Sequence, residues 1–177
     1  MVISLGLGPR ATEESPEALL IACHEKMRSF AARARALAEL GPRDVSDLEI
    51  ATAAGTIARY FAESLALHVR DEEDSILPRL VGRSEALDRA LEAMEEDHDE
   101  HEPWIQALVH TLRRIAAHPE QLRDERTALG AAAREVEERL RKHLSAEEAT
   151  VLPALGALAE SERLAIVREI RARRHRV

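Results

Sequence analysis

The sequence predicts an all-α protein, an antiparallel up-down four-helix bundle with an additional short C-terminal helix. Apolar residues recur at spacings of three and four, as on one face of an α-helix. Capping residues and prolines divide the chain into five such stretches, and none has the alternating pattern of a strand. A chain of 177 residues has the length of one domain. We expect loosely ordered residues 1–12, a bundle over 13–157, and the accessory helix with a basic tail over 158–177.

The first two helices are delimited by capping residues and prolines. Ser15-Pro16 predicts the start of the first helix and Gly41-Pro42 its end. The inward stripe of that helix is Leu20, His24, Met27, Ala31, Ala34 and Ala38. The second helix starts near Asp44 or Ser46, and Pro78 predicts a kink or an end. Its stripe is Ile57, Phe61, Leu65, His68 and Glu72.

The remaining helices follow the same pattern. Ser84 caps the third helix, which ends at His118-Pro119. Its stripe is Leu87, Leu91, Met94, His98, His101, Ile105, Leu108, Leu112 and Ile115. The fourth helix starts within 121–126 and is followed by Pro153, with a stripe of Leu129, Ala133, Val136, Leu140, His143 and Glu147. Ser161 opens the fifth, whose apolar residues are Leu164, Val167 and Ile170.

Charge and composition exclude several classes of partner. The formal charge of −8, from 33 acidic and 25 basic residues, disfavours binding to nucleic acid and to anionic membranes. We interpret the basic end, 171–177, as a cationic helix terminus that suits the helix dipole. No apolar run approaches the ~20 residues that span a bilayer, and no signal peptide is evident, which favours a cytoplasmic protein. Cys23 cannot form an internal disulfide, and we expect it to pack in the bundle.

An internal repeat carries the chemistry of this chain. The segment 68–80 reads HVRDEEDSILPRL, and 143–155 reads HLSAEEATVLPAL. Each copy places a Glu four residues after a His, so that both side chains lie on one helix face: His68 and Glu72, His143 and Glu147. His24 and His98 are 74 residues apart, close to the 75 of the repeat. Four histidines and two glutamates converging from four helices predict a site for two metal ions.

The alternative interpretation is that these histidines are ordinary hydrogen-bonded core residues. A single His on an apolar stripe is commonly of that kind. Five of them, counting His101, are costly to bury unless cations pair with them. We expect His110, His118 and His175 at the surface or in caps. Glu73 and Glu148 point about 100° from the stripes, and we expect them to face solvent or to contact a ligand from outside the site.

The two His-x-x-x-Glu motifs, each followed by Leu-Pro and each preceded by a helix bearing a His, resemble the hemerythrin-like, or HHE cation-binding, family over roughly residues 15–157. The resemblance implies an oxo- or hydroxo-bridged di-iron centre in the bundle, with Glu72 and Glu147 bridging the irons and histidines completing each. It also implies that an exogenous ligand, such as dioxygen, binds at an open position.

The third helix departs from the family pattern. Oxygen-carrying hemerythrins have His-x-x-x-His there, whereas here His98 is followed by His101 and Glu102, either of which is a candidate for the seventh ligand. The equivalent positions in the first half are Met27 and Arg28, which do not suit hard iron. We therefore expect an asymmetric site with a vacancy on one iron, which favours sensing or redox chemistry over oxygen carriage.

Three functions remain open at this level. The protein binds or senses dioxygen, nitric oxide or peroxide; or it is a di-iron redox enzyme with peroxidase- or oxidase-like activity; or iron stabilises an interaction module. A ferritin-like site is disfavoured because the pair Glu95 and His98 is the one Glu-x-x-His candidate. A zinc site is disfavoured because zinc prefers four tetrahedral ligands and often Cys. A sensor requires a homodimer or a separate signalling partner, for which Trp104 is a candidate contact.

Overall fold

A computed structural model describes residues 14–40 and 45–175, and every regular element in these ranges is helical. The helices are α1 (Pro16–Glu39), α2 (a continuous run from Asp47 to Leu80), α3 (Glu85–Ala117), α4 (Leu122–Gly156) and α5 (Glu160–Arg174). A single 3₁₀ turn, Pro119–Gln121, precedes α4. The predicted class is confirmed. The predictions for residues 1–12 and for Gly41-Pro42 fall outside the described residues.

The helix starts follow the capping residues read from the sequence. Three serines cap helices as predicted: Ser15 for α1, Ser46 for α2 and Ser84 for α3. The prediction that Ser161 opens the last helix is off by one residue, because Ala159 is the N-cap and the Glu162 carboxylate accepts its N–H at 3.0 Å. α4 also continues through Pro153 to its end at Gly156.

Two π-helical turns interrupt α2, and the sequence analysis did not anticipate them. They span Tyr60–Ser64 and Glu72–Ile76, and α-helical segments lie before, between and after them. Residues eight apart diverge by about 80° on an uninterrupted α-helix. Across the π turn, His68, Glu72 and Ile76 are all buried. Pro78 therefore does not end α2, since the helix continues to Leu80. The distortions of α2 are the two π turns that precede Pro78.

The four long helices form a bundle in which α1 and α3 each pack against both α2 and α4. Short connections between consecutive helices make neighbours antiparallel. At the α2–α3 turn, Gly82 has a φ of +80°, a conformation that favours glycine. The predicted stripes of α1, α2 and α4 are buried throughout. None of the described helices has the length and apolar content needed to span a membrane.

The core is divided into two apolar clusters by a layer of ionisable side chains. One cluster, which includes Met27, Leu65, Ile105 and Leu140, fills most of the bundle. The other, which includes Ile76, lies at the opposite end with α5. On each long helix the predicted ligands lie between a residue of one cluster and a residue of the other. The bundle therefore places all of them at one level.

Helix α5 closes that second end of the bundle. Ile166 and Ile170 are buried in the smaller cluster, whereas Leu164, which the sequence analysis placed on the apolar face, is 42% exposed. The prediction holds for Val167 and Ile170 and is wrong for Leu164, because the buried face of α5 is the one that carries Ile166 and Ile170. Arg173 is buried as well, and it pairs with Asp71 on α2, one residue before Glu72. The C-terminal helix is thus joined to the segment that carries the predicted ligands.

Candidate metal centre

All four long helices contribute to the ionisable layer. α1 supplies one side chain, α2 two, α3 two and α4 two, and all of them are buried except His98 on α3, which is half-buried. These are His24, His68, Glu72, His98, His101, His143 and Glu147. His24 and Glu72 are 0% exposed, and Glu147 is 2% exposed. A carboxylate or imidazolium in such surroundings needs compensation for its lost hydration, which a bound cation supplies.

Two overlapping sets of potential ligands lie in this layer. His24, His68, Glu72 and Glu147 form one set, in which the donor atoms lie within 4.8 Å of one another. Glu72, His98 and His143 form the other by the same criterion. Glu72 belongs to both sets. A buried group of His and Glu donors on four helices is a metal-binding arrangement.

The carboxylate oxygens face histidines of different helices. Glu72 Oε1 lies 2.9 Å from His68 Nε2, and Glu72 Oε2 lies 3.2 Å from His98 Nε2. Glu147 Oε2 lies 3.1 Å from His24 Nε2 and 4.0 Å from His143 Nε2. Two donor atoms that share one ion at a right angle, each about 2.1 Å from it, lie about 3 Å apart. The three shorter separations match that value.

Unpaired polar atoms test whether this layer fits a metal. The Nε2 atoms of His24, His68 and His98 are buried and have no hydrogen-bond partner among the described residues. Both carboxylate oxygens of Glu72 and both of Glu147 are likewise buried and lack a hydrogen-bond partner among the described residues. Buried polar groups are almost always satisfied, so seven orphaned atoms in one layer call for a common partner. These donors fit a metal ion.

Carboxylates hold three of the imidazoles from outside the layer. Glu148 Oε1 lies 2.9 Å from His24 Nδ1, and Glu73 Oε1 lies 3.1 Å from His98 Nδ1. Such partners fix the ring orientation and direct Nε2 towards a metal. The sequence analysis allowed this role for Glu73 and Glu148.

Asp97 is a residue of this kind that the sequence analysis missed. Its Oδ2 lies 3.2 Å from His143 Nδ1, so a third imidazole has a carboxylate on the side away from the layer. The available signal was its position in the acidic run 95–97, immediately before His98.

The two candidates for the extra ligand lie in different surroundings. His101 is 7% exposed, and its ring centroid lies 5.5 Å from that of His143. Glu102 is exposed and accepts a hydrogen bond from Gln106 at 2.7 Å. Neither belongs to the two sets of donor atoms within 4.8 Å. The structure therefore brings His101 to the edge of the layer and leaves Glu102 outside it.

The histidines predicted to lie at the surface do so. His110, His118 and His175 are exposed. Phe61 is buried at 2% exposure in the larger apolar cluster, which agrees with a packing role. Trp104 is 43% exposed, and the Arg139 guanidinium lies 4.8 Å from its ring centroid.

Burial and the charges of neighbouring groups shift the pKa values of the ionisable side chains in the layer. Burial, together with repulsion from Glu72, raises the pKa of Glu147 to about 7. Burial also acts to raise the pKa of Glu72, but His68 and His98 outweigh it and hold that pKa well below its usual range. Burial lowers the pKa of His143 to about 4, and the neighbouring His98 and His101 act in the same direction. These side chains therefore share protons in the absence of metal, and a bound cation would displace those protons.

The comparison with known proteins agrees with this geometry. The model of the hemerythrin HHE cation-binding domain matches residues 15–155, a range that contains the whole ionisable layer. No match to the chain was found among curated proteins. The matched range covers most of the 177 residues. The chain therefore belongs to the hemerythrin HHE cation-binding domain family.

Proposed function

We propose that the ionisable layer binds two iron ions and that one of them keeps a position for dioxygen or a related small molecule. The observation that carries this proposal is the double role of Glu72. Its two oxygens face His68 and His98, which belong to the two different donor sets. A carboxylate placed between two sets of imidazoles is suited to bridging two ions. Glu147, which faces His24 and His143, is suited to the same role.

The donor chemistry supports iron. The layer offers imidazole nitrogens and carboxylate oxygens, a combination that non-haem iron accepts. Cys23, a half-buried thiol, lies outside both donor sets. A zinc site of the closed structural type would use four tetrahedral ligands, commonly including Cys. Two ions with shared carboxylates use all six donors of the two sets.

Asymmetry between the halves supports an open position. His24 and His68 are the imidazoles on one side of the shared carboxylates, and His98 and His143 are those on the other. We assign His101, beside His143, as an additional ligand on the second side, because Glu102 faces solvent. The first side then has fewer protein ligands, and a small molecule can bind there. When bound, iron supplies the reducing electrons and the coordination site for such a molecule.

The surrounding residues prepare the layer for that chemistry. Apolar clusters lie above and below it. Glu73, Asp97 and Glu148 hold three imidazoles in place. The Glu147 carboxyl, whose pKa is about 7 without metal, exchanges a proton near neutrality. These properties suit reversible ligand binding or a redox response.

A second candidate is a module in which the metal chiefly stabilises the fold. The observation that favours it is the position of the layer, which separates the two apolar clusters with seven ionisable side chains. Metal binding to such a layer adds its free energy to folding. In that case removal of the metal lowers stability, and exposure to small ligands changes nothing.

Anaerobic loading with ferrous iron, followed by exposure to dioxygen or nitric oxide, distinguishes these functions. The proposal predicts a change in the absorption spectrum on exposure, reversed by removing the gas if the protein binds it reversibly. A permanent change to the ferric spectrum indicates redox chemistry. The variant His24→Ala should weaken the change, whereas His110→Ala, at an exposed position, should retain it. If the absorption spectrum of the iron-loaded protein does not change with either gas, ligand binding is contradicted and the metal has only the stabilising role.

A further inference from the structure

A cleft of about 440 Å³ opens beside the ionisable layer, between α1, α2 and α5. Its lining includes Cys23 and Lys26 from α1, Tyr60 and His68 from α2, and Arg174 from α5. Cys23 is half-buried and forms part of the cleft wall. The cleft therefore connects solvent to one of the layer's imidazoles past a thiol and two cationic side chains.

His68 differs from the other three histidines of the two donor sets. Those three each have a carboxylate at Nδ1, as described above for His24, His98 and His143. The Nδ1 of His68 is buried and has no hydrogen-bond partner within the described part of the chain. His68 is itself 2% exposed and lines the cleft. Because buried polar atoms almost always have a hydrogen-bond partner, a nitrogen without one indicates that a further group can bind beside it.

The internal repeat identifies what stands at that position. Asp97 immediately precedes His98, and its carboxylate meets His143. The offset of 74 that relates His98 to His24 places Cys23 where the other half has Asp97. Cys23 thus stands in the place of a carboxylate.

Cys23 on α1 and His68 on α2 line the same cleft, and these two helices pack against each other.

Arg174 makes the surroundings of the sulfur cationic. Its Nη2 lies 3.3 Å from Cys23 Sγ and 2.6 Å from Asp71 Oδ2. The contact with Asp71 fixes the guanidinium in place, and Lys26 adds a second positive charge to the cleft lining. Positive charge at this position stabilises a negatively charged oxygen attached to the sulfur after oxidation.

We propose that Cys23 is a site of oxidation by hydrogen peroxide, and that the oxidised side chain supplies His68 with the oxygen partner that Asp97 supplies to His143. The sulfur attacks one peroxide oxygen, and a sulfur–oxygen bond forms as the oxygen–oxygen bond breaks. The departing hydroxide takes the thiol proton and leaves as water. Sulfur loses two electrons, peroxide gains them, and the product is a sulfenic acid. The step needs no metal, so it goes beyond the proposed function.

The consequence is a chemical link between the cleft and the ionisable layer. A sulfenate oxygen is a hydrogen-bond acceptor, as a carboxylate oxygen is, and it pairs with the Arg174 guanidinium. Further oxidation to a sulfinate gives a group of nearly the shape and charge of aspartate. His68 then has an acceptor on the side away from Glu72, as the other three histidines have.

The test uses the full-length protein, free of metal, with dilute hydrogen peroxide and dimedone as the trap for sulfenic acid. Mass spectrometry of the tryptic peptide 11–26 reports modification of Cys23. We expect the folded protein to react several-fold faster than the same chain in urea, and Arg174→Gln to reduce that advantage. Cys23→Ser should give no adduct. A folded protein that reacts no faster than the unfolded chain overturns the proposal.

A second measurement reads the partner of His68 directly. Nitrogen and proton NMR of the imidazole should show a hydrogen-bonded Nδ1–H in the peroxide-treated protein and in the variant Cys23→Asp. Neither the untreated protein nor Cys23→Ser should show it. A His68 signal that is the same in all four samples overturns the proposed partnership. The result does not depend on iron, so failure here is distinct from failure of the metal site.

Discussion

The carboxylate of Glu148 lies 2.9 Å from Nδ1 of His24, on the side of the ring that faces away from Glu147. The Arg28 guanidinium in turn donates to the same Glu148 oxygen at 2.8 Å. Burial would raise the pKa of Glu148, but His24 and Arg28 outweigh it, and the pKa lies below its ordinary value. Glu148 is therefore a charged partner that orients His24 for a ligand on the opposite nitrogen.

Replacement of Glu148 tests this orienting role. Glu148→Gln keeps the shape of the side chain and removes its charge, so the imidazole loses a strong acceptor. We expect metal affinity to fall by about 10- to 100-fold, measured by competition with a chelator. Glu25→Gln, an exposed change next to His24, is the matched control and should leave affinity unchanged. Equal affinities for the two variants would show that Glu148 does not orient the ligand.

A pair of alanine variants decides between the two candidates for the additional ligand. His101 is buried beside His143, whereas Glu102 is exposed and bonded to Gln106. We expect His101→Ala to weaken binding of one ion by about tenfold or more. Glu102→Ala should change it by less than about twofold. Titration with ferrous iron under anaerobic conditions measures both. The reverse order of effects would assign Glu102 instead.

Metal binding should release protons near neutral pH. Without metal, burial and Glu72 raise the pKa of Glu147 to about 7. Burial opposes protonation of His98, but Glu72 and Glu73 outweigh it and raise its pKa. Both groups must lose their protons to bind an ion. Affinity should therefore fall as the pH drops from 8 to 6, by about tenfold per pH unit for each proton released.

The same groups make the metal-free protein more stable at low pH, which is the opposite of their effect on metal affinity. A group with a raised pKa contributes its full stabilisation of the fold at a pH below its ordinary pKa, which is 4.5 for Glu147. That contribution is lost as the pH rises through about 7. Metal loading should consequently raise the melting temperature more at pH 8 than at pH 6. Chelator competition and calorimetry across this range check both statements. A melting shift that is equal at the two pH values would argue against these donors as ligands.

The attachment of α5 depends on a buried ion pair. Arg173 bonds to Asp71 and donates to Ser75 Oγ at 3.1 Å. Removal of Arg173 leaves the buried Asp71 carboxylate with Arg174 as a remaining partner, so the loss is that of a charged hydrogen bond, about 1.5–3 kcal/mol. Arg173→Ala should therefore lower the free energy of unfolding by that order in urea denaturation. Arg171→Ala, at an exposed position of the same helix, should cost less than about 1 kcal/mol. Similar losses in both variants would mean that α5 is held by its apolar face.

Much of this structure was accessible from periodicity alone. The 3.6-residue repeat placed His24 and Met27 on one buried face, and serines marked three helix starts, because these features depend on local chemistry. The repeated His-x-x-x-Glu motif predicted that Glu72 and Glu147 lie at one level, because α2 and α4 run in the same direction in an up-down bundle and carry equivalent positions of the repeat.

The features that were missed depend on contacts between distant segments. The burial of Ile166 in place of Leu164 follows from how α5 lies on the bundle, which its own weak apolar pattern does not decide. The role of Asp97 could not be predicted because its partner His143 lies 46 residues away. The π turn at Glu72–Ile76 lies just before Pro78, which predicts a distortion but not that the distortion is a π turn.

The central claim is that one protein chain binds two ions that share Glu72. Anaerobic titration with ferrous iron, followed by native mass spectrometry of the loaded chain, counts the ions directly. We predict about two per wild-type chain, and fewer than one for Glu72→Gln, because the shared carboxylate serves both donor sets. Glu96→Gln, an exposed change on α3, should still bind two. A wild-type chain that binds one ion or none, or a Glu72→Gln chain that still binds two, would contradict the account.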